Sequence, residues 1–424
     1  MENSYRLIFE NDPMINTNNS KNLNLGYLKE GDFYFSKYKN RYESHIIKYN
    51  NNKINHKSRN PGIDIIRIIA MYGIIITHLL YSDGGALKYL QYKNQLKILY
   101  IATGWHINGF ALISGFVGYK SFKYCNLLYL WVEVFFYSVL IYSYFKKFEK
   151  KFIIDHDISY EFSPIIFSRY WYFTAYFGMY LIIPVINKGI SILTKNEFRL
   201  VVISTLSLFV FWRDFKNPKV DIFYLNKGNS MMWLLIYYLT GAYIGKYRVE
   251  YNGIKKYIYC SVYFFIYLFS IYIFYKVDND ELYLGNAYLA KKIESFLKQI
   301  ITTRLDSILK VIQSICLCLF FLHINYNQYL AKIICFCGPL VFGIYLVHIN
   351  SIVNQNILKH IFDNENKYIS LYSAMILISL KGLKVFVISI IIDFFRYILF
   401  NFLRIKKLCM ILEKKTNKLL GINQ

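Results

Sequence analysis

Apolar residues recur along this chain in blocks of about twenty, the length that carries an α-helix across a bilayer. Ten such blocks can be marked: approximately Ile63–Tyr81, Ile98–Tyr119, Tyr124–Phe145, Tyr170–Ile190, Leu200–Trp212, Met231–Tyr247, Ile258–Tyr275, Leu305–Leu322, Ile333–Val353 and Met375–Phe402. Only 18% of the 424 residues are charged and 55% are hydrophobic, a balance that a soluble chain of this length rarely shows. The pattern therefore predicts an all-α, polytopic transmembrane bundle of about ten spans. The last block carries Lys381 and Lys384 near its start, so its core is expected over 385–402.

Basic residues set the expected orientation. Lys37, Lys39, Arg41, Lys48, Lys53, Lys57 and Arg59 precede the first span, against Glu43 alone. Arg404, Lys406, Lys407, Lys414, Lys415 and Lys418 follow the last, against Glu413. By the positive-inside rule both ends are cytoplasmic, which requires an even number of spans. Acidic residues gather in loops placed on the far side: Asp155, Asp157 and Glu161, then Asp278, Asp280 and Glu281. Lys146, Lys147, Lys150 and Lys151 run against this assignment. The domain reading is a polar tail over 1–60, one transmembrane unit over 61–405 and a basic cytoplasmic tail over 406–424. The first sixty residues lack an apolar core, so the first span is expected to act as an uncleaved insertion signal.

The net charge of +24 would suggest nucleic acid on a soluble domain. Here the basic residues flank apolar blocks instead of forming one aromatic-interleaved stripe, which points to membrane lipid and not nucleic acid. The seven cysteines lie mostly in or beside apolar blocks. The pairs Cys316/Cys318 and Cys335/Cys337 splay about 200° apart on a helix and fit no metal clamp. No metal site or phosphate-binding glycine loop is expected.

The first span carries the main chemical signal. Arg67 and His78 are eleven positions apart, which returns a helix to nearly the same face about three turns on, roughly 16 Å along the axis. Ionisable groups at such positions persist where they face a cavity, although snorkelling at the two helix ends would also accommodate them. Asp64 is one turn before Arg67 and can pair with it. In the second span Gly109 and Gly115 permit close helix approach, and Ser114 can bond across helices. Lys120 and Lys123 follow and suit either a phosphate-bearing ligand or topology alone. Glu133 lies mid-span, open to pairing with Arg67 or to proton relay. Asp393 and Arg396 are spaced to neutralise one another. Tyr345 and His348 share a helix face.

Several segments, taken together and in order, resemble one family. Arg67 and His78 within Pro61–Tyr81 are similar to the opening of the type-three membrane acyltransferases. The likeness continues through Asn108-Gly109-Phe110 and Ile113-Ser114-Gly115-Phe116, then Leu130-Trp131 with Phe136-Tyr137-Ser138. It goes on through Tyr170-Trp171-Tyr172-Phe173, Tyr180-Leu181-Ile182-Ile183-Pro184, Gly228-Asn229-Ser230, Tyr238–Tyr243 and Phe342–His348. It covers about 60–405. The resemblance implies a multi-span enzyme that moves an acetyl or other short acyl group from acyl-CoA, used as a donor substrate and not as a resident cofactor, onto a hydroxyl of a glycan or lipid-linked sugar. It implies a bacterial inner or plasma membrane, with Arg67 and His78 as the functional pair and Trp171 among the supporting residues. Lys120 and Lys123 stand near a loop where many members carry two arginines, and lysine lacks the bidentate fork. On this reading Arg67, Lys120 and Lys123 hold the donor, while Asp64, Ser114, Glu133, Trp171, Tyr345 and His348 support the site. A transporter or flippase is the rival; its inverted, Gly/Pro-interrupted repeats are missing, although Gly338-Pro339 breaks one block. A channel or receptor would need a filter or charged ring, and none is visible.

Overall fold

The computed structural model describes residues 59–82, 84–120, 122–149, 159–212, 221, 223–247, 255–278 and 304–421. The polar amino-terminal segment up to residue 58 lies outside them, as do Lys150, Lys151, Asp155, Asp157, Asp280 and Glu281 of the loops. The described secondary structure is helical throughout. Six helical stretches among the described residues are long and apolar enough to cross a membrane: 61–89, 124–148, 171–192, 255–276, 328–349 and 371–402.

The first helix, α1 (Pro61–Tyr81), starts where local chemistry directs it. The Asn60 side chain accepts the Gly62 amide at 2.8 Å, and Pro61 occupies the first helical position, where no N–H is needed. Packed around α1 are α3 (Lys93–Thr103), α4 (His106–Gly118), α11 (Ile308–Leu322), α12 (Gln328–Cys337), α13 (Val341–Ile349) and α15 (Leu371–Phe402). A short helix, α2 (Ala86–Tyr89), links α1 to α3. The remaining helices are α5 (Tyr124–Phe148), α6 (Ser159–Phe162), α7 (Trp171–Ile192), α8 (Lys195–Leu206), α9 (Met231–Lys246), α10 (Lys255–Asp278), α14 (Ser351–Asn356) and α16 (Ile405–Leu419).

Two apolar cores meet on α1. Met71, Ile74, Ile75 and Leu79 pack with Val134, Tyr137, Ile344 and Ile378; Ile66 and Ala70 pack with Trp105, Leu112, Trp233 and Cys318. The second core includes the tightest helix pair. On α4, Gly115 lies against the Tyr238 carbonyl of α9; on α9, Gly241 lies against the Leu112 carbonyl of α4. A methyl at either glycine would run into backbone, so small residues set the separation of the two helices.

Three expected spans are corrected in detail. The block Ile98–Tyr119 is two helices, not one, broken at Gly104 and Trp105. The Lys310 ammonium donates to the Ile101 carbonyl at 2.7 Å, occupying an acceptor that a continuous helix would use internally. The block Leu200–Trp212 is part of α8 followed by a π-helical turn over Ser207–Trp212. In the ninth block a 3₁₀ turn at Gly338–Leu340 separates α12 from α13, since Pro339 supplies no amide. The last block is one 32-residue helix, roughly 48 Å long against a hydrocarbon layer of roughly 30 Å. Its first third is tied to polar groups of the preceding segment: Lys381 donates to the Ile361 carbonyl at 2.8 Å and pairs with Glu365 at 2.6 Å.

These contacts predict opposite outcomes at two glycines. Gly241→Ala should destabilise the purified protein by about 1–3 kcal/mol through overpacking. Gly189→Ala on α7, where an added methyl meets nothing within 4 Å, should be neutral or slightly stabilising. Thermal unfolding in detergent compares them; equal midpoints would refute the close-contact account of α4 and α9.

Candidate functional site

The candidate residues fall into clusters at the two ends of α1. At the first end the Arg67 guanidinium donates from Nη1 to Asp64 Oδ1 at 2.8 Å. Asp64 is fully buried, while the Arg67 side chain keeps 26% of its surface. Asp64 lies in the first turn, where helix N-terminal dipoles favour a carboxylate. Its side chain rests on Gly338, at a place no larger residue could occupy. The anchored carboxylate thereby fixes one edge of the guanidinium and leaves accessible surface on a group that remains cationic.

Three turns on, His78 is half-buried. Its ring meets that of His348, on α13, edge to face at 5.6 Å between centroids. His348 is 1% exposed, and its Nδ1 donates to the Ile344 carbonyl at 2.6 Å, since a carbonyl can only accept. Its Nε2 is buried with no hydrogen-bond partner among the described residues, and so is the hydroxyl of Tyr345. Tyr345 reaches both His348 (6.4 Å) and Tyr172 (6.2 Å) by ring contacts. Trp171 is half-buried at the start of α7, edge-on to Tyr172 at 5.7 Å. An aromatic wall from α4, α7 and α13 thus continues from Phe110 through Tyr172 to Tyr345.

The α13 end is held from a neighbouring loop. Arg169 pairs with Glu161 at 2.7 Å and donates to Ser351 Oγ at 3.0 Å. Asn350 donates to the Tyr170 hydroxyl, also at 3.0 Å. Burial lifts the Glu161 carboxyl above its ordinary range, and the Arg169 guanidinium acts in the opposite direction.

Other expected residues lie elsewhere. Ser114 donates to the Phe110 carbonyl of its own helix at 2.9 Å, and its hydroxyl also lies within hydrogen-bonding reach of the Tyr176 hydroxyl on α7. Lys120 and Lys123 are exposed around the turn between α4 and α5, with Lys120 over the Tyr119 ring and the Lys123 carbonyl accepting the Tyr180 hydroxyl. Glu133 belongs to a separate buried cluster: its partner is Arg396, at 2.9 Å, and not Arg67 as the first of its two expected roles required. Asp393 and Arg396 form the expected i,i+3 pair, with two contacts of 2.9 and 2.6 Å. The Tyr137 hydroxyl donates to Asp393 at 2.8 Å, and Arg396 donates to the Tyr129 hydroxyl at 3.0 Å. Those groups fasten α5 to α15 through ion pairs and hydrogen bonds.

A polar set that the sequence reading did not assign adjoins His78. His106 Nδ1 accepts the Ile107 amide, so the proton is on Nε2, which donates to Thr77 Oγ1 at 3.2 Å. The Thr77 hydroxyl in turn donates a hydrogen bond to the Gly73 carbonyl at 3.0 Å. His106 lies within electrostatic reach of both His78 and the buried Lys310. Deeper still, the Asn108 amide donates to the Leu305 carbonyl at 2.7 Å and accepts the Trp233 indole N–H at 2.9 Å. The available signal was Lys310 itself, a charge inside the Leu305–Leu322 apolar block.

With this geometry in view, the chain belongs to the type-three acyltransferase family: the family's model, described as an acyltransferase domain, matches residues 60–392. The match starts at the cap of α1, takes in both ends of that helix and His348, and ends just before Asp393. No curated protein and no solved structure matches the chain. Family and apolar helices together define a multi-pass membrane acyltransferase.

The Glu133–Arg396–Asp393 cluster predicts a structural penalty. Arg396→Met leaves two buried carboxyl groups facing each other without their cation. It should lower stability by about 3–5 kcal/mol, the usual loss for breaking a buried pair by removing one partner. Detergent unfolding tests this; a midpoint at the wild-type value would refute it.

Proposed function

We propose that this protein transfers an acetyl or other short acyl group from acyl-CoA to a hydroxyl of a glycan or lipid-linked sugar. It does so within a bundle of about ten spans with cytoplasmic termini, in a bacterial inner or plasma membrane. The observation that carries this reading is the half-buried His78 imidazole set against His348, beside two orphaned polar atoms and on the same helix as the anchored Arg67. Buried polar atoms without partners mark places where a ligand or water completes the hydrogen bonding.

The donor is made in the cytoplasm and carries phosphates. Arg67 engages a phosphate or the polar pantetheine end, with Lys120 and Lys123 adding positive charge at the approach. The roughly 16 Å between the α1 positions is comparable to an extended pantetheine arm, which delivers the thioester to His78. His78 removes the proton from the acceptor hydroxyl as the oxygen–carbonyl bond forms. The carbon–sulfur bond then breaks, and the departing CoA thiolate takes the proton from the imidazolium. The products are the O-acyl sugar and CoA thiol. An imidazole with an ordinary pKa of about 6.5 is suited to accepting and returning a proton. Asp64 orients Arg67; Ser114, Trp171, Tyr345 and His348 line or support the path. The polar groups around Glu133 contribute rigidity to the wall opposite.

Purified protein supplied with labelled acetyl-CoA and sugar acceptors tests the reading. His78→Ala should lower acyl transfer by about 10²–10⁴-fold while the protein still inserts, accumulates and unfolds like the wild type. Arg67→Lys should raise the KM for acetyl-CoA, because the planar fork is lost. Retained transfer by His78→Ala would overturn the role of His78, and absence of any covalent product would overturn the enzyme assignment for these acceptors.

A further inference from the structure

We propose that α16 is an interfacial helix whose ligand is the anionic headgroup layer of the leaflet in which α15 ends. Arg404 stands between the two helices with φ of +53°, a left-handed turn that separates α16 from the membrane span. Such a conformation costs about 1 kcal/mol for a residue with a side chain, so the change of direction is imposed and not incidental.

The helix has three distinguishable sides. Cys409 is buried where α16 packs on α5, beside Cys125, and Glu413 one turn on is half-buried. Leu408, Leu412 and Leu419 are exposed and form a stripe about 60–100° round the helix from Cys409 at 3.6 residues per turn. Lys407, Lys414 and Lys418 are also exposed; they fall within an arc of about 40° on the side away from that stripe. Lys415 flanks the leucines. Met410 and Ile411 depart from the pattern. One face therefore holds the protein, one is apolar and uncovered, and one is strongly cationic.

A lipid surface meets all three conditions. The helix begins three residues after Phe402, the exposed last residue of a 32-residue apolar span, which puts its start at the edge of the hydrocarbon layer. Leucines can sink to the acyl boundary while lysines reach upward among headgroups. Lys406, Lys407, Lys414, Lys415 and Lys418 face only Glu413 as a counter-charge within the helix, and each adds attraction to an anionic leaflet. The other faces of α5 and α15 position the helix but leave the leucine stripe open.

Hydrogen–deuterium exchange on the full chain in nanodiscs tests this. Amides of residues 408–419 should exchange at least about tenfold more slowly in discs containing phosphatidylglycerol than in discs of phosphatidylcholine alone. The triple variant Lys407→Gln, Lys414→Gln, Lys418→Gln should lose that difference while α1 amides keep wild-type protection. Added salt should erase it in the wild-type protein as well, which provides the same test if the variant fails to fold. Equal exchange in the two discs overturns the proposal. So does a difference that survives high salt, or equal protection in detergent from inorganic phosphate or a co-purifying protein.

Discussion

Setting Asp64, Arg67 and His78 on one apolar helix forces the bundle to enclose that helix. Each of these groups is expensive in hydrocarbon, so α1 cannot take a lipid-facing position. The structure answers by surrounding α1 with six helices and by giving its polar atoms partners drawn from far along the chain. Asp64 rests on Gly338 and His78 meets His348. Both contacts come from the α12–α13 segment, whose interruption at Pro339 allows one helical rod to serve both ends of α1.

Enclosure on this scale needs close packing elsewhere. Lipid tails are as apolar as leucine side chains, so helices in a membrane associate through close contact and polar pairing rather than through escape from water. The α4–α9 pair uses the first device, with glycines bringing backbones together. The α5–α15 pair uses the second, with Glu133, Arg396, Asp393 and two tyrosines forming one connected set. The break between α3 and α4 belongs to the same economy of partners: the buried Lys310 ammonium takes a helical carbonyl as its acceptor. That interruption places His106 at the start of α4, within reach of Thr77 and hence beside His78.

Much of this was legible in the sequence because hydrocarbon imposes strict rules. Helical class, the placing of Arg67 and His78 on one helix, the Asp64–Arg67 and Asp393–Arg396 spacings, and close approach at Gly115 all follow from helix periodicity and the penalty on buried charge. Two features were hidden because they depend on contacts remote in sequence. Periodicity cannot tell that Lys310 will interrupt the second block, since the acceptor is 209 positions away. Nor can it choose between Arg67 and Arg396 as the partner of Glu133; that is decided by which helix α5 packs against.

The two imidazoles at the far end of α1 are chemically unequal, and the backbone makes them so. The Ile344 carbonyl fixes the proton of His348 on Nδ1, so in the neutral ring Nε2 offers only a lone pair. His78 has no comparable tie to its own helix, and it retains accessible surface that His348 lacks. A hydrogen bond between them would therefore run from an N–H of His78 to Nε2 of His348. That direction leaves the remaining nitrogen of His78 as the lone pair able to receive a proton from outside the pair. A neighbour that can only accept favours one tautomer of the imidazole that faces it. The ties from Arg169 to Ser351 and from Asn350 to Tyr170 hold the end of α13 in place, and with it the His348 ring.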